Sequence, residues 1–272
     1  MPKQPSISRA AMQEVEAACS ERYAVPTRLL MENAGRAVAD EVVRVLRAER
    51  VGRAVRSGLE GSYADQFDLP PEPRSVDEIE AWKASLAEVR GPVAIICGGG
   101  NNGGDGYVVA RTLANQGVEV QTWFVGKRES LPNEGDAGES RKALEALGQS
   151  VLLAEEAGAI PMMQKMVNEC AVVVDAIFGT GLSRTIEGYI KDVIHMINDL
   201  DQPCISVDIP SGIDADSGDA LGTAILADQT ITFGAAKHGL FRGHGPDHCG
   251  RVVVAEIGIP RDLLDAAKNA SS

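Results

Sequence analysis

Along residues 6–19 the apolar positions Ile7, Ala11, Met12, Val15 and Ala18 recur at helical spacing, and Ser8 stands where a cap would start the helix. Residues 26–48, PTRLLMENAGRAVADEVVRVLRA, keep that period for longer. Pro26 opens the run, where a missing N–H costs least, and Gly35 in its interior implies close approach to another backbone. The pattern then breaks. Residues 49–75 hold Gly52, Gly58, Gly61, Pro70, Pro71 and Pro73 among scattered charges, and a third helix is expected at 75–90. The whole of 49–91 therefore reads as an irregular and helical insertion before the main fold.

From Pro92 onward short β-rich runs alternate with helix-like segments, the signature of a parallel sheet covered on both faces, and hence of an α/β fold. The predicted strands are 93–97, 118–125, 150–153, 171–178, 204–210, 229–234 and 251–257. The first, fourth and fifth are apolar almost throughout, as central strands buried on both faces should be. Each of these three runs straight into polar, glycine-rich sequence: GGGNNGGDG, GTGLSR and IPSGIDADSGD. In such sheets ligands bind outside the carboxyl ends of the central strands, so the three loops should converge on one site.

Composition narrows what that site could serve. The chain has 272 residues, 44% hydrophobic and 24% charged, which suits one soluble domain over 1–272. A net charge of −13 repels nucleic acid and anionic membranes, and 4% aromatic residues leave little surface for stacking bases. The five cysteines, Cys19, Cys97, Cys170, Cys204 and Cys249, form no C-x-x-C pair and read as reduced thiols, three of them in or beside strands. The start of the chain lacks a signal-peptide core and no run approaches the ~18 apolar residues of a membrane span, so the cytoplasm is the expected compartment.

Gly98, Gly100 and Gly103 have the spacing G-x-G-x-x-G between a predicted strand and a helix expected at 105–116, the context of a dinucleotide site. The acidic residue that would grip an adenine ribose after the second strand is missing, and Lys127 and Arg128 stand there instead, so either the ribose carries a phosphate or the dinucleotide lies in another way. Asn101 and Asn102 add amide donors and carbonyl oxygens that a plain turn does not require. Asp175 and Asp208 each place a carboxylate in or after an apolar strand, and such a group needs a cation, donors or water. Carboxylates, amides and hydroxyls are hard oxygen ligands suited to alkali or alkaline-earth ions. The DADSGD stretch (Asp214, Asp216, Asp219) departs from a calcium loop and reads as a solvated turn. Lys237 reads as a surface lysine, with a contact to phosphate or a carboxamide as the alternative.

Taken together, LLMENAGRAVA (29–39), CGGGNNGGDGYVVAR (97–111), VVVDAIFGTGLSR (172–184), VDIPSGIDADSGDALGTAILADQTITF (207–233) and GRVVVAEIGIP (250–260) resemble the NAD(P)H-hydrate epimerase family, the YjeF N-terminal domain family. The resemblance implies a Rossmann-like three-layer αβα sandwich with a mostly parallel central sheet. It further implies a homodimer that interconverts the R and S epimers of hydrated NADH and NADPH, an isomerase, beside a separate ATP- or ADP-dependent dehydratase that repairs the S form; no dehydratase domain is expected within this chain. Substrate-binding residues carried over from the family are Asn101, Asn102, Gly103, Gly104, Asp105, Gly179, Thr180, Gly181, Leu182, Ser183, Arg184, Thr185 and Asp208, and the potassium (K+) ligands are Asn102, Asp175 and Ser211. Gly99 stands where the family often has proline. Asp208 is expected to move the proton that epimerisation at C6 requires. Two other readings are a non-catalytic dimeric scaffold of the same fold and a nicotinamide-dependent dehydrogenase, the latter lacking a recognisable hydride-transfer partner.

Overall fold

The computed structural model describes residues 6–56 and 91–270, with residues 48–56 described as backbone alone. Strand β1 (Ser6–Ile7) leads into α1 (Arg9–Tyr23) and α2 (Thr27–Arg56); then come β2 (Val93–Cys97), α3 (Asn101–Asn115), β3 (Val120–Val125), α4 (Gly135–Ala146) and β4 (Val151–Ala154). The second half runs through α5 (Ile160–Val167), β5 (Val172–Ala176), α6 (Tyr189–Asn198), β6 (Cys204–Val207), β7 (Gln229–Phe233), β8 (Ala236–Lys237), α7 (Gly245–His248), β9 (Arg251–Ala255) and α8 (Arg261–Ala270). All seven strands expected after residue 92 form: β2 at the expected bounds, β4 shifted by one residue, and the other five trimmed at one or both ends. Helix α2 runs on to Arg56, through Gly52, beyond the end expected at residue 48. The rest of the expected insertion, with the helix at 75–90, lies outside the described residues.

Seven strands form one sheet in the order β4-β3-β2-β5-β6-β7-β9, every pairing parallel. Alternation along β2 shows why its run is apolar throughout. Val93, Ile95 and Cys97 face a cluster with residues of α1, α2 and α3, whereas Ala94 and Ile96 face a second cluster with α5 and α6. Both faces are covered, so polar residues have no place on this strand. The result is the three-layer α/β architecture that the pattern implied.

Strand β2 has β3 on one side and β5 on the other. The chain leaves β2 outward to β3 and β4 and then crosses back to β5, and that reversal opens a crevice at the carboxyl ends of β2 and β5. A second, two-stranded parallel sheet pairs Ser6 with Ala236 and Ile7 with Lys237. It ties the first described residues to the segment after β7, and no periodicity in so short a run announces it.

Candidate active site

A cavity of about 480 Å³ opens at this crevice, within the range of about 300–1,000 Å³ usual for small-molecule sites. Its wall takes Asn101, Asn102 and Asp105 from the start of α3, residues 179–184 from the loop after β5, and Asp208 from the end of β6. The three loops that the sequence pattern singled out therefore meet. Gly103, Gly104 and Thr185 are not part of the described wall: Gly104 sits against Met31 and Thr185 against Gly222.

The glycine-rich stretch is more compact than a loop. Helix α3 starts at Asn101, four residues before the expected start, with Gly100 as its N-cap. A Cβ on Gly98 would stand 2.0 Å from the Ile177 carbonyl oxygen, and one on Gly103 would stand 2.0 Å from the Gly98 carbonyl oxygen. These two glycines let helix and strands pack backbone to backbone. Gly100, by contrast, has open space around it at the helix N-terminus, where bare N–H groups favour an anion. Bare backbone over 98–104 thus serves packing at Gly98 and Gly103 and exposure at Gly100.

Asp175, at the end of β5, is completely buried and fully supplied with donors. Its Oδ1 accepts from Ser211 Oγ at 2.5 Å and Ile177 N at 3.2 Å; its Oδ2 accepts from Ser206 Oγ at 2.8 Å and Ser211 N at 2.9 Å. Burial raises its pKa and these hydrogen bonds oppose the rise. Ser211 Oγ also accepts from Phe178 N at 2.8 Å and lies 3.1 Å from the Phe178 carbonyl oxygen. Asn102 is buried too, its Oδ1 near Gly179, and its Nδ2 has no hydrogen-bond partner among the described residues.

Asp208 is held differently. It follows β6 with φ at 65°, a left-handed conformation that costs a non-glycine residue about 1–3 kcal/mol. Its Oδ1 accepts from Lys237 Nζ at 2.5 Å, Thr232 Oγ1 at 3.1 Å and Phe233 N at 3.4 Å. The expectation of a surface Lys237 is overturned: the residue is 1% exposed. Its Nζ also donates to Thr232 Oγ1 and the Phe233 carbonyl, each at 3.1 Å, and lies 5.9 Å from the Phe233 ring centre. Pairing in β8 draws the lysine inward, where the Asp208 carboxylate offsets its desolvation.

Two further carboxyls share the cavity wall. Asp105, nine-tenths buried on α3, is pushed well above the ordinary aspartate range by burial and by the negative charge of Asp208 and Glu16, with Lys237 opposing. Glu16, on α1, is raised for the same reasons in the same order: burial first, then Asp208, again opposed by Lys237. Glu16 was not among the residues singled out from the sequence. Neither was the role of DADSGD, which is more than a solvated turn: Asp214 Oδ2 accepts from Arg9 Nη2 and Asp216 Oδ1 from the Arg9 backbone N–H, both at 2.7 Å. Lys127 and Arg128 lie apart from the wall, Lys127 over the Tyr189 ring and Arg128 against Glu155.

A parallel sheet with its cavity at the strand-order reversal, a helix N-terminus at the rim and a lysine-paired carboxylate in the wall is the layout of an α/β domain in which nucleotide-type ligands are usually placed. Residues 27–239 match the family described as YjeF-related protein N-terminus, and the chain belongs to that family. It is 32% identical over 258 residues to the bifunctional NAD(P)H-hydrate repair enzyme Nnr of Moorella thermoacetica, covering 95% of this chain and 41% of that protein. It is 33% identical over 208 residues to the NAD(P)H-hydrate epimerase of Weissella koreensis, covering 76% and 79%. The Limosilactobacillus reuteri protein of that name is 36% identical over 163 residues, covering 60% and 72%. The chain thus spans about two fifths of the bifunctional relatives and over two thirds of the shorter ones. The crystal structure of yeast ynu0, YNL200c, superposes with a TM-score of 0.66 at 21% identity, covering 96% of this chain and 92% of that one, and confirms the fold.

Proposed function

We propose that this protein is an NAD(P)H-hydrate epimerase, interconverting the R and S forms of hydrated NADH and NADPH. The observation that carries the proposal is Asp208: a carboxylate kept beside a buried ammonium, in a strained backbone conformation, in the wall of a cavity formed by the loops after β2, β5 and β6. The relatives named as epimerases or as bifunctional repair enzymes support the same activity.

Epimerisation must invert C6 of the hydrated ring, which bears a hydroxyl beside the ring nitrogen. Opening the ring or losing the hydroxyl both require proton transfer at that oxygen, and Asp208 is placed to take and return the proton. Residues 179–184 and the N-terminus of α3 would hold the rest of the dinucleotide, Gly100 leaving room for phosphate. Asn102, Asp175 and Ser211 are the residues that would hold potassium. The residues are of the right kind, all three buried and oxygen-bearing with the Phe178 carbonyl adjacent to Ser211, and Asp175 would meet the ion in exchange for one of its present hydrogen bonds. A bound potassium ion would supply one positive charge that knits the loops together.

The same reading has the protein working in the cytoplasm, as a homodimer, with a dehydratase consuming the S epimer. Among the described residues no helix is long and apolar enough to cross a membrane. Among the described residues β9 ends the sheet, with Val254 half exposed, and a second copy could meet it there. The direct test adds purified protein to R-NADHX and R-NADPHX in potassium or in sodium and separates the epimers by chromatography over time. Equilibration faster than the spontaneous reaction, and faster in potassium, is the expected result. No acceleration with either substrate would remove the activity from this site.

A further inference from the structure

We propose that Glu16 is the acid that works opposite Asp208, giving its proton to the ring nitrogen as Asp208 takes one from the C6 hydroxyl. The proposal rests on the epimerase reading above and adds a residue outside the span 27–239 that matches the family model.

Position is the first support. Gln13 and Glu16, one turn apart on α1, form part of the cavity wall that also holds Asp208. Helix α1 is held there by the elements that carry the Asp208–Lys237 pair. Ile7 pairs with Lys237, Ser6 Oγ lies 2.8 Å from His238 Nδ1, and Arg9 is gripped by Asp214 and Asp216 from the loop after Asp208. A helix fastened in this way presents its carboxyl at a fixed place. The unpartnered, buried Nδ2 of Asn102 in the same wall independently marks room for a polar ligand.

Charge is the second support. Glu16 is faced by Asp208 from the end of β6, Lys237 from β8, Asp105 from α3 and Cys19 further along α1. The wall residues of α2, Thr27, Leu30, Met31 and Ala34, carry no charge. Lys237 is committed to Asp208 at 2.5 Å, so a second carboxylate nearby gains little from it and pays for both burial and repulsion. Burial and Asp208 accordingly raise Glu16. The carboxyl beside the ammonium is thus the one suited to accept a proton and the raised one across the cavity the one suited to give it, which is how acid and base roles divide between paired carboxyls.

The step balances. Asp208 takes the proton of the C6 hydroxyl while the C6–N1 bond breaks; the bond's electron pair passes to N1, which receives the Glu16 proton, and C6 becomes an aldehyde. Rotation about C5–C6 turns the other face of the aldehyde toward N1. On closure N1 attacks C6 and returns its proton to Glu16, and the oxygen recovers its proton from Asp208. Both carboxyls finish as they started, with no other reactant consumed.

The test follows turnover of R-NADHX by the full chain across pH for wild type, E16Q and E16D. Wild-type kcat should fall on the alkaline side as Glu16 loses its proton. E16Q should lose about 10²–10⁴-fold in kcat with little change in KM and should lack that alkaline limb, and E16D should recover part of both. A wild-type kcat in E16Q, or a slowed E16Q that keeps the limb, overturns the assignment. Inert wild type would instead remove the epimerase reading itself. Should E16Q fail to fold, carbon-13 NMR of the glutamate carboxyl signal missing from E16D decides: titration above the ordinary glutamate range supports the acid, and titration within it overturns it.

Discussion

Strands β5 and β6 lie side by side, and each delivers an aspartate to the same edge of the sheet, yet the two carboxylates are buried by different means. Asp175 is enclosed by four hydrogen bonds from Ser206, Ser211 and Ile177, and nothing of it reaches the cavity. Asp208 has a lysine and keeps a face on the cavity wall. Donors that fill every lone pair make a carboxylate a structural knot. A single cation on one oxygen leaves the other free for chemistry. Identical sequence signals, an acid at the end of an apolar run, therefore separate into architecture and reactivity according to the partner that offsets desolvation.

The largest expected effect tests the reactive half of that contrast. D208N keeps the shape and an oxygen for Lys237 and Thr232 but cannot take up a proton, so kcat for R-NADHX should fall about 10²–10⁴-fold in a protein that remains folded. An active D208N with normal KM would assign the proton transfer elsewhere. Next comes the cation itself. K237M leaves the carboxylate without its counter-charge, and removal of one partner from a buried pair costs about 3–5 kcal/mol; the 13% exposure of the Asp208 side chain places this pair toward the lower end. Urea unfolding measures it. A stability equal to wild type would show that Asp208 is solvated well enough without Lys237.

Asp175 supplies the matching control. D175N turns one acceptor into a donor against groups that already donate, and an unsatisfied buried group costs about 1–3 kcal/mol. The expected result is a lower unfolding midpoint together with loss of the potassium response in the epimer assay. A D175N protein whose rate still responds to potassium as wild type does would take Asp175 out of the cation site.

The sheet and this pair of aspartates were legible because their signals are local. Short, β-branched-rich runs such as VAIIC and VVVDA between turn signals read as central strands, and parallel strands must bring their carboxyl-end loops to one edge. What the sequence hid depends on pairings across the chain. Lys237 looks like any polar residue until Ile7, 230 positions earlier, pairs with it, and a two-residue strand has no periodicity to betray it. Glu16 looks like the solvent face of an amphipathic helix, and DADSGD like a turn, because nothing near either of them in sequence records that Arg9 joins α1 to Asp214 and Asp216. The start of α3 was misplaced for a related reason: Gly103 and Gly104 resemble loop residues until their packing against Gly98 and Met31 is seen.

Asp105 extends the comparison to a third way of burying an acid. Among the described residues it has neither the donors of Asp175 nor the lysine of Asp208, and burial beside Asp208 and Glu16 raises its pKa well above the ordinary 3.8. Its remaining means of avoiding a buried charge is to keep the proton. Folding then takes up a proton wherever the unfolded chain has already lost it, so the contribution of Asp105 is fully present below pH 3.8 and is lost as pH rises through the folded-state value. D105N abolishes that proton uptake. Measured by urea unfolding at a series of pH values, the stability of D105N relative to wild type should rise steadily from about pH 4 toward neutrality, whatever constant offset the amide introduces. A difference independent of pH would mean that Asp105 is ionised in the folded protein, and the contrast between a carboxylate held by donors and one held by a cation would then lack its third member.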